Sequence, residues 1–168
     1  MDGGQHRGSL RAALPGDVEP LLDVQQAGAV AGLRHIFPQD RYPFPRAALM
    51  DRWLREIADP GVRAYVWTAH TGRITGFAAV HEIELLHFGT AVDTWGSGLA
   101  WLLHDAVLEE MLSAAPAGTP SLRLRVFEEN RRARRFYERR GWAMTGGRSR
   151  TAFPPHPVLL EYTYPLAR

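Results

Sequence analysis

The sequence predicts an α/β domain of the α+β kind: a central mixed, mostly antiparallel sheet of six to seven strands with about four helices against it. Three observations carry this. Hydrophobic types make up 45% and charged types 23% of 168 residues, a balance that supports one packed core. Three β-rich runs, 62–69, 73–80 and 83–92, are separated only by short turns, the pattern of an antiparallel meander. The apolar period then switches from two to about 3.6, and helix and strand patterns alternate to the end of the chain.

The elements follow in order. Residues 1–8 are polar and glycine-rich and are expected to form a flexible tail ahead of a single domain, 9–168. Ser9 to Leu14 reads as a strand closed by Pro15-Gly16, and Asp17 stands where a helix N-cap belongs, ahead of Val18, Leu21, Leu22 and Gln25. That helix fades over 27–34. The segment His35 to Pro45 holds Pro38, Pro43 and Pro45 with the aromatics Phe37, Tyr42 and Phe44, and predicts an irregular loop. Leu49, Trp53 and Ile57 restore helical spacing over 46–58, stopped by Asp59-Pro60-Gly61. After the meander, a long helix over 95–115 carries Leu99, Leu102, Leu103, Ala106, Val107 and Met111, and Pro116, Gly118 and Pro120 end it. A strand over 122–127, a short helix over 130–140 ended by Gly141, and closing strands over 142–145 and 158–164 complete the chain.

Composition excludes several kinds of chemistry. No apolar run reaches the ~18 residues of a membrane span, and 1–9 lacks an apolar leader core, so a cytoplasmic protein without a membrane partner is expected. The absence of cysteine removes disulfides, thiolate metal sites and a cysteine nucleophile together, so any thioester chemistry must be direct transfer. All 20 basic residues are arginine, and 18 acids reduce the formal charge to +2. Arg123, Arg125 and the arginines of 131–140 are interleaved with Glu128, Glu129 and Glu138, which argues for a solvated helix face rather than a nucleic-acid surface. His81 and His87 lack the His-Glu-x-x-His spacing, and no metal is assigned.

Trp95-Gly96-Ser97-Gly98-Leu99-Ala100 joins a strand end to a helix start. Unpaired N–H groups converge at such a start, the helix dipole favours an anion, and glycine lets a pyrophosphate come close. By itself it could equally be a turn that needs glycine. About thirty residues on, Asn130 precedes a helix, Ala133 follows at three, Phe136-Tyr137 at six and seven, and Gly141-Trp142 opens a strand. These two segments together resemble the GCN5-related N-acetyltransferase (GNAT) family. Gly98 and Ala100 match the family's Gln/Arg-x-x-Gly-x-Gly/Ala hallmark, whereas Trp95 replaces its first residue, and Val92 stands where a proline is frequent.

The resemblance, spanning about 9–166, implies the GNAT fold with a splay between strands 4 and 5. It implies acetyl-coenzyme A as co-substrate, its pantetheine arm in the gap beside Phe88, Gly89 and Thr90, and its pyrophosphate on Trp95, Gly96, Ser97, Gly98, Leu99 and Ala100. A backbone N–H near Phe88 to Thr90 would meet the oxyanion. Tyr137 takes the position of the acid that protonates the departing thiolate, and a phenol at ~10 lies near a thiol at ~8.5; alternatively it belongs to the apolar stripe with Ala133 and Phe136. Asn130 contacts the pantetheine or caps its helix. One or two of Arg131, Arg132, Arg134 and Arg135 would meet the 3′-phosphate.

Alternation places Glu82 and Glu84 on one strand face and His81 and His87 on the other. Glu84 is the candidate base, eleven residues before Trp95 as in histone-modifying members, with ordered water as the alternative. The acceptor is a small-molecule amine first and a peptide N-terminus second, with Phe37, Tyr42, Phe44 and Phe153 as walls. A homodimer is common in the family. A non-catalytic acyl-coenzyme A sensor of the same fold is the rival reading.

Overall fold

The expected meander forms, with its limits within two residues of the expected ones. Val62–Ala69 (β2), Ile74–His81 (β3) and Glu84–Thr90 (β4) pair antiparallel in turn, with Gly72 (φ 86°) and Glu82 (φ 53°) supplying the left-handed turn residues. The computed structural model describes residues 8–167. The expected tail lies outside these residues except for Gly8, which opens Gly8–Ala12 (β1) on the outer edge of β2. Ser121–Phe127 (β5) joins β4 in parallel, and Ala143–Arg150 (β6) and Val158–Pro165 (β7) complete a seven-stranded mixed sheet in the order β1-β2-β3-β4-β5-β7-β6.

Four helices cover the two faces: Val18–Gly32 (α1), Arg46–Ala58 (α2), Leu99–Ala114 (α3) and Arg131–Arg139 (α4). β3 is buried on both sides and divides the core. Ala78 and Val80 pack with Leu99, Leu103, Val107 and Tyr137 of α3 and α4, and Phe77 and Ala79 pack with Leu21, Leu22 and Trp53 of α1 and α2. Leu122, Leu124 and Val126 of β5 continue the first core, which turns Arg123 and Arg125 to the α1/α2 face. No helix among the described residues is long and apolar enough to cross a membrane.

Two boundaries and one cap differ from the sequence expectation. α1 starts at Val18 as expected, but Asp17 at its N-cap makes no side-chain capping bond; its carboxylate turns back to accept the Leu14 N–H at 2.7 Å and is held by Arg11, closing a short 3-10 turn over Pro15–Asp17. α3 starts at Leu99 rather than Trp95. Val92–Thr94 forms a separate 3-10 turn, and Gly96 (φ 81°) and Gly98 (φ 91°) are left-handed, which no α-helix accommodates. β6 runs to Arg150, because the chain resumes pairing with β7 after a bulge at 145–147.

Two irregularities in β4 shape the centre of the sheet. It pairs with β5 only at Glu84–Arg123 and Leu85–Leu124, so Leu86 to Thr90 diverge from β5 and leave a gap. Across the β3–β4 ladder Leu85 faces Val80 and His87 faces Ala79, so Leu86 is an extra, bulged residue. The bulge resets the alternation. Leu85 and Phe88 both reach the α3/α4 core although they are three apart, and Leu86 joins the α1/α2 core. Gly89 is required here, since a Cβ would stand 2.5 Å from the Phe77 ring. Gly89→Ala is expected to cost about 1–3 kcal/mol through overpacking, read as a lowered urea midpoint at unchanged m-value.

Candidate active site

The gap between β4 and β5 is bordered by α3 at one edge and α4 on one face. Asn130 does cap α4: its side-chain oxygen accepts the Ala133 N–H at 3.2 Å. The cap starts the helix so that Tyr137 points into the core, 8% exposed, with its ring centroid 6.3 Å from Phe88 of diverging β4, 5.5 Å from Phe136 and 6.2 Å from Trp142. The Tyr137 hydroxyl has no hydrogen-bond partner among the described residues. Burial raises its pKa well above the ordinary phenol range, so it carries its proton at any working pH. The ring is buried while its unpartnered hydroxyl is not sealed from solvent, so the donor beside the gap is free to meet an incoming acceptor. Below it, the Trp142 indole N–H donates to His104 Nε2 at 3.0 Å, and His104 Nδ1 meets Asp105 at 3.0 Å. Burial holds His104 below the usual histidine range, which keeps this support neutral.

At the α3 end, the segment 95–100 leaves several backbone N–H groups unbonded. The N–H groups of Gly96, Gly98 and Ala100 have no acceptor among the described residues, while Leu99 N–H has a long bond of 3.3 Å to Ser97 Oγ. Added Cβ atoms at Gly96 and Gly98 would meet nothing within 4 Å, so their need for glycine is conformational and the approach is open. Three free donors at the start of a 16-residue helix suit a diphosphate. Trp95 lies between this cradle and α1, and its indole N–H donates to the Thr90 carbonyl at 3.1 Å. Phe88, Gly89 and Thr90 lie on the diverging part of β4, where the Thr90 carbonyl is already engaged.

On the α1/α2 face the structure corrects the sequence reading. Glu82 sits in the β3–β4 turn, so it does not share a strand face with Glu84. Because Leu86 is bulged, Glu84 and His87 lie on the same face instead of opposite ones. Glu84 is 9% exposed, yet it is not solitary: one oxygen accepts from Arg123 and the other from Arg125, both at 2.9 Å. It lies at the closed end of β4, where the strand still pairs with β5.

His87 is the residue sequence reasoning missed. Its Nε2 meets both carboxylate oxygens of Glu56, at 2.8 and 3.0 Å, and its ring packs on Trp53 with centroids 4.9 Å apart. Arg52 Nε donates to the same carboxylate at 3.0 Å. Burial opposes ionisation of Glu56, but the bonds and charges of His87 and Arg52 outweigh it and hold the carboxyl below its usual range. A carboxylate on Nε2 assigns the hydrogen there. Nδ1 is left as an acceptor with no partner among the described residues. No sequence spacing signals this pair, since Glu56 is on α2 and the bulge that turns His87 toward it interrupts no motif.

Of the expected walls, Phe37 packs edge-on against Phe127 at the end of β5, with centroids 5.4 Å apart, whereas Phe44 packs into the α1/α2 core. His35 Nε2 lies 2.8 Å from the Glu129 carbonyl, so the loop 35–45 is tied down beside the gap. The arginines of α4 divide: Arg134 bonds the Tyr162 hydroxyl and the Glu128 carbonyl, and Arg132 stacks on Trp95.

Comparison with known proteins agrees with this geometry. Solved structures of the same fold include Ard1 from Thermoplasma volcanium (20% identity, 96% of this chain and 99% of that one, TM-score 0.70). The ribosomal-protein-S18-alanine N-acetyltransferase from Escherichia coli is similar (16%, 96% and 95%, 0.68). So is spermidine N-acetyltransferase from Vibrio cholerae in complex with CoA and spermine (18%, 95% and 95%, 0.69). None of the curated proteins matches the sequence at a significant level. The model of the acetyltransferase (GNAT) family matches residues 30–142, more than half of the chain and all of the gap, the cradle and Tyr137, and the chain therefore belongs to that family.

Proposed function

We propose that this acetyltransferase carries the acetyl group of acetyl-coenzyme A directly to a primary amine, a small molecule in the first instance and a peptide N-terminus in the second. The observation that carries the reading is Tyr137, its ring buried and its hydroxyl unpartnered among the described residues, beside a gap whose other end holds the free N–H groups of Gly96, Gly98 and Ala100. The cradle takes the diphosphate, and Phe88, Gly89 and Thr90 border the pantetheine. The amine arrives on the α1/α2 face as its ammonium and passes one proton to His87 Nδ1, which Glu56 orients through Nε2 and which later releases that proton to solvent. The freed nitrogen attacks the thioester carbonyl, a backbone N–H of diverging β4 stabilises the oxyanion, and the adduct nitrogen loses its second proton to solvent. The carbon–sulfur bond breaks, Tyr137 gives its proton to the sulfur, and solvent restores a proton to the phenol. Glu84, bound by two guanidiniums, fixes Arg123 and Arg125 along the floor of this face. The tethered loop 35–45 narrows the approach, which supports a small acceptor over a folded protein.

Trp95 gives weight to a second reading, an acyl-coenzyme A sensor without turnover, because its indole occupies a Thr90 carbonyl that the pantetheine would use. One experiment separates the two. Calorimetric titration with acetyl-coenzyme A is expected to show micromolar binding, and thiol release followed with a chromogenic disulfide is expected to depend on one member of an amine panel. The chain has no cysteine to react with the disulfide. Binding without release from any amine would favour the sensor; absence of binding would overturn both.

A further inference from the structure

Trp95 is not a passive replacement in the cradle. Its ring lies against α1 at Gly28 and Gly32, where Cβ atoms would be 4.0 and 3.3 Å from the indole, and its N–H holds Thr90. Arg132, in the first turn of α4, reaches across the mouth of the β4–β5 gap and lays its guanidinium over the ring, Cζ 3.4 Å from the centroid. This is the closest cation–ring contact among the described residues, the others being 4.4 and 5.8 Å.

Among the described residues Arg131, Arg132 and Arg135 of α4 are all without a hydrogen bond or ion pair, and of the three Arg132 alone stacks on a ring. Arg134 is spent on Tyr162 and Glu128, Arg140 on Asp105, and Arg123 and Arg125 on Glu84. Arg132 makes no hydrogen bond or ion pair among the described residues, although Glu128, Glu129 and Glu138 are close in sequence. The residue is exposed, while packing against the indole removes water from one face of its guanidinium and lowers its pKa; it stays cationic. A guanidinium stacked on a ring keeps its in-plane N–H fork free, and that fork suits two oxygens of one phosphate group. The next residue after Trp95 begins the run of unbonded N–H groups at Gly96, Gly98 and Ala100.

We propose that Arg132, oriented by stacking on Trp95, is a pyrophosphate-binding residue of the coenzyme A site, supplying from α4 the side-chain cation that the cradle itself lacks. This rests on the coenzyme A reading above. The cradle segment 95–100 contains no cationic side chain, so without Arg132 the diphosphate would meet only backbone dipoles. Trp95 then serves as a positioning residue: it removes alternative rotamers of a long side chain before the ligand arrives.

The test is calorimetric titration of wild type, Arg132→Gln, Arg132→Lys and Trp95→Leu with acetyl-coenzyme A and with acetyl-3′-dephospho-coenzyme A, each variant first checked for an unchanged thermal midpoint. Arg132→Gln is expected to raise Kd about 10- to 50-fold for both ligands, as for loss of a charge-assisted bond. Arg132→Lys, which cannot present a planar fork, and Trp95→Leu are expected to fall between. Wild-type binding with an unchanged Kd in Arg132→Gln would overturn this inference and leave the coenzyme A reading intact. A loss for acetyl-coenzyme A only would overturn the pyrophosphate assignment and place the guanidinium at the 3′-phosphate. Wild type that binds neither ligand would overturn the reading beneath it.

Discussion

Tyr137→Phe is expected to lower kcat about 100-fold or more with little change in the KM for acetyl-coenzyme A, because it removes a proton donor needed only as the carbon–sulfur bond breaks. The substitution keeps the ring that packs against Phe88, Phe136 and Trp142. It also deletes a hydroxyl with no partner among the described residues, so stability should hold within about 0.5 kcal/mol or rise slightly. That separation gives the measurement its force. A structural tyrosine would show the reverse, an altered thermal midpoint with intact turnover, and would return Tyr137 to the apolar stripe of α4. Because burial raises the phenol's pKa, no alkaline loss of activity below about pH 10 should trace to this residue, and Tyr137→Phe should leave the shape of the pH profile unchanged.

The fold was legible because its signals are local. The meander, α2 and α4 are each bounded by strong punctuation, Asp59-Pro60-Gly61, Thr71-Gly72 and Asn130 with Gly141, and these act within a few residues. The cap of α1 and the start of α3 differ from the sequence reading for a common reason. A polar or small residue before an apolar run can cap the helix, or can serve another turn first. Asp17 folds back on Leu14, and Gly96 and Gly98 adopt left-handed conformations that delay α3 to Leu99. β6 was cut short because Gly146-Gly147 reads as a terminus, whereas the ladder with β7 absorbs it as a bulge.

At the site, the residues of contiguous motifs were legible and those joined by the sheet were not. Tyr137, Asn130 and the segment 95–100 fall where the pattern places them. The partners of Glu84 were not legible from its spacing, because the two arginines come from β5 and are brought alongside only by the parallel pairing of Glu84 with Arg123. The run Arg131 to Arg135 reads as one basic face, yet helical geometry sends Arg134 to β7 and Arg132 to Trp95. The decisive irregularity, one extra residue at Leu86, has no sequence marker at all, since a leucine fits a regular strand equally well.

That bulge sets up the second large effect. His87→Gln is expected to lower kcat/KM about 100-fold with the acceptor amine that the panel identifies, because an amide cannot take up a proton from the amine. The groups facing His87 are Glu56 and, through it, Arg52 from α2, with Glu84 on the same face of the sheet. Glu56→Gln should give an intermediate loss, since it keeps the base and weakens only its orientation. Its stability signature has a definite sign. The Glu56 carboxyl is held below its unfolded value, so its contribution is present above about pH 4.3 and is lost as pH falls through the folded value. The stability gap between wild type and Glu56→Gln should therefore close in acid. Glu84→Gln decides between the two candidate bases. If Glu84 only fixes Arg123 and Arg125, Glu84→Gln lowers kcat/KM less than His87→Gln does; a large loss in Glu84→Gln with near-normal turnover in His87→Gln would make the base the glutamate at the closed end of β4.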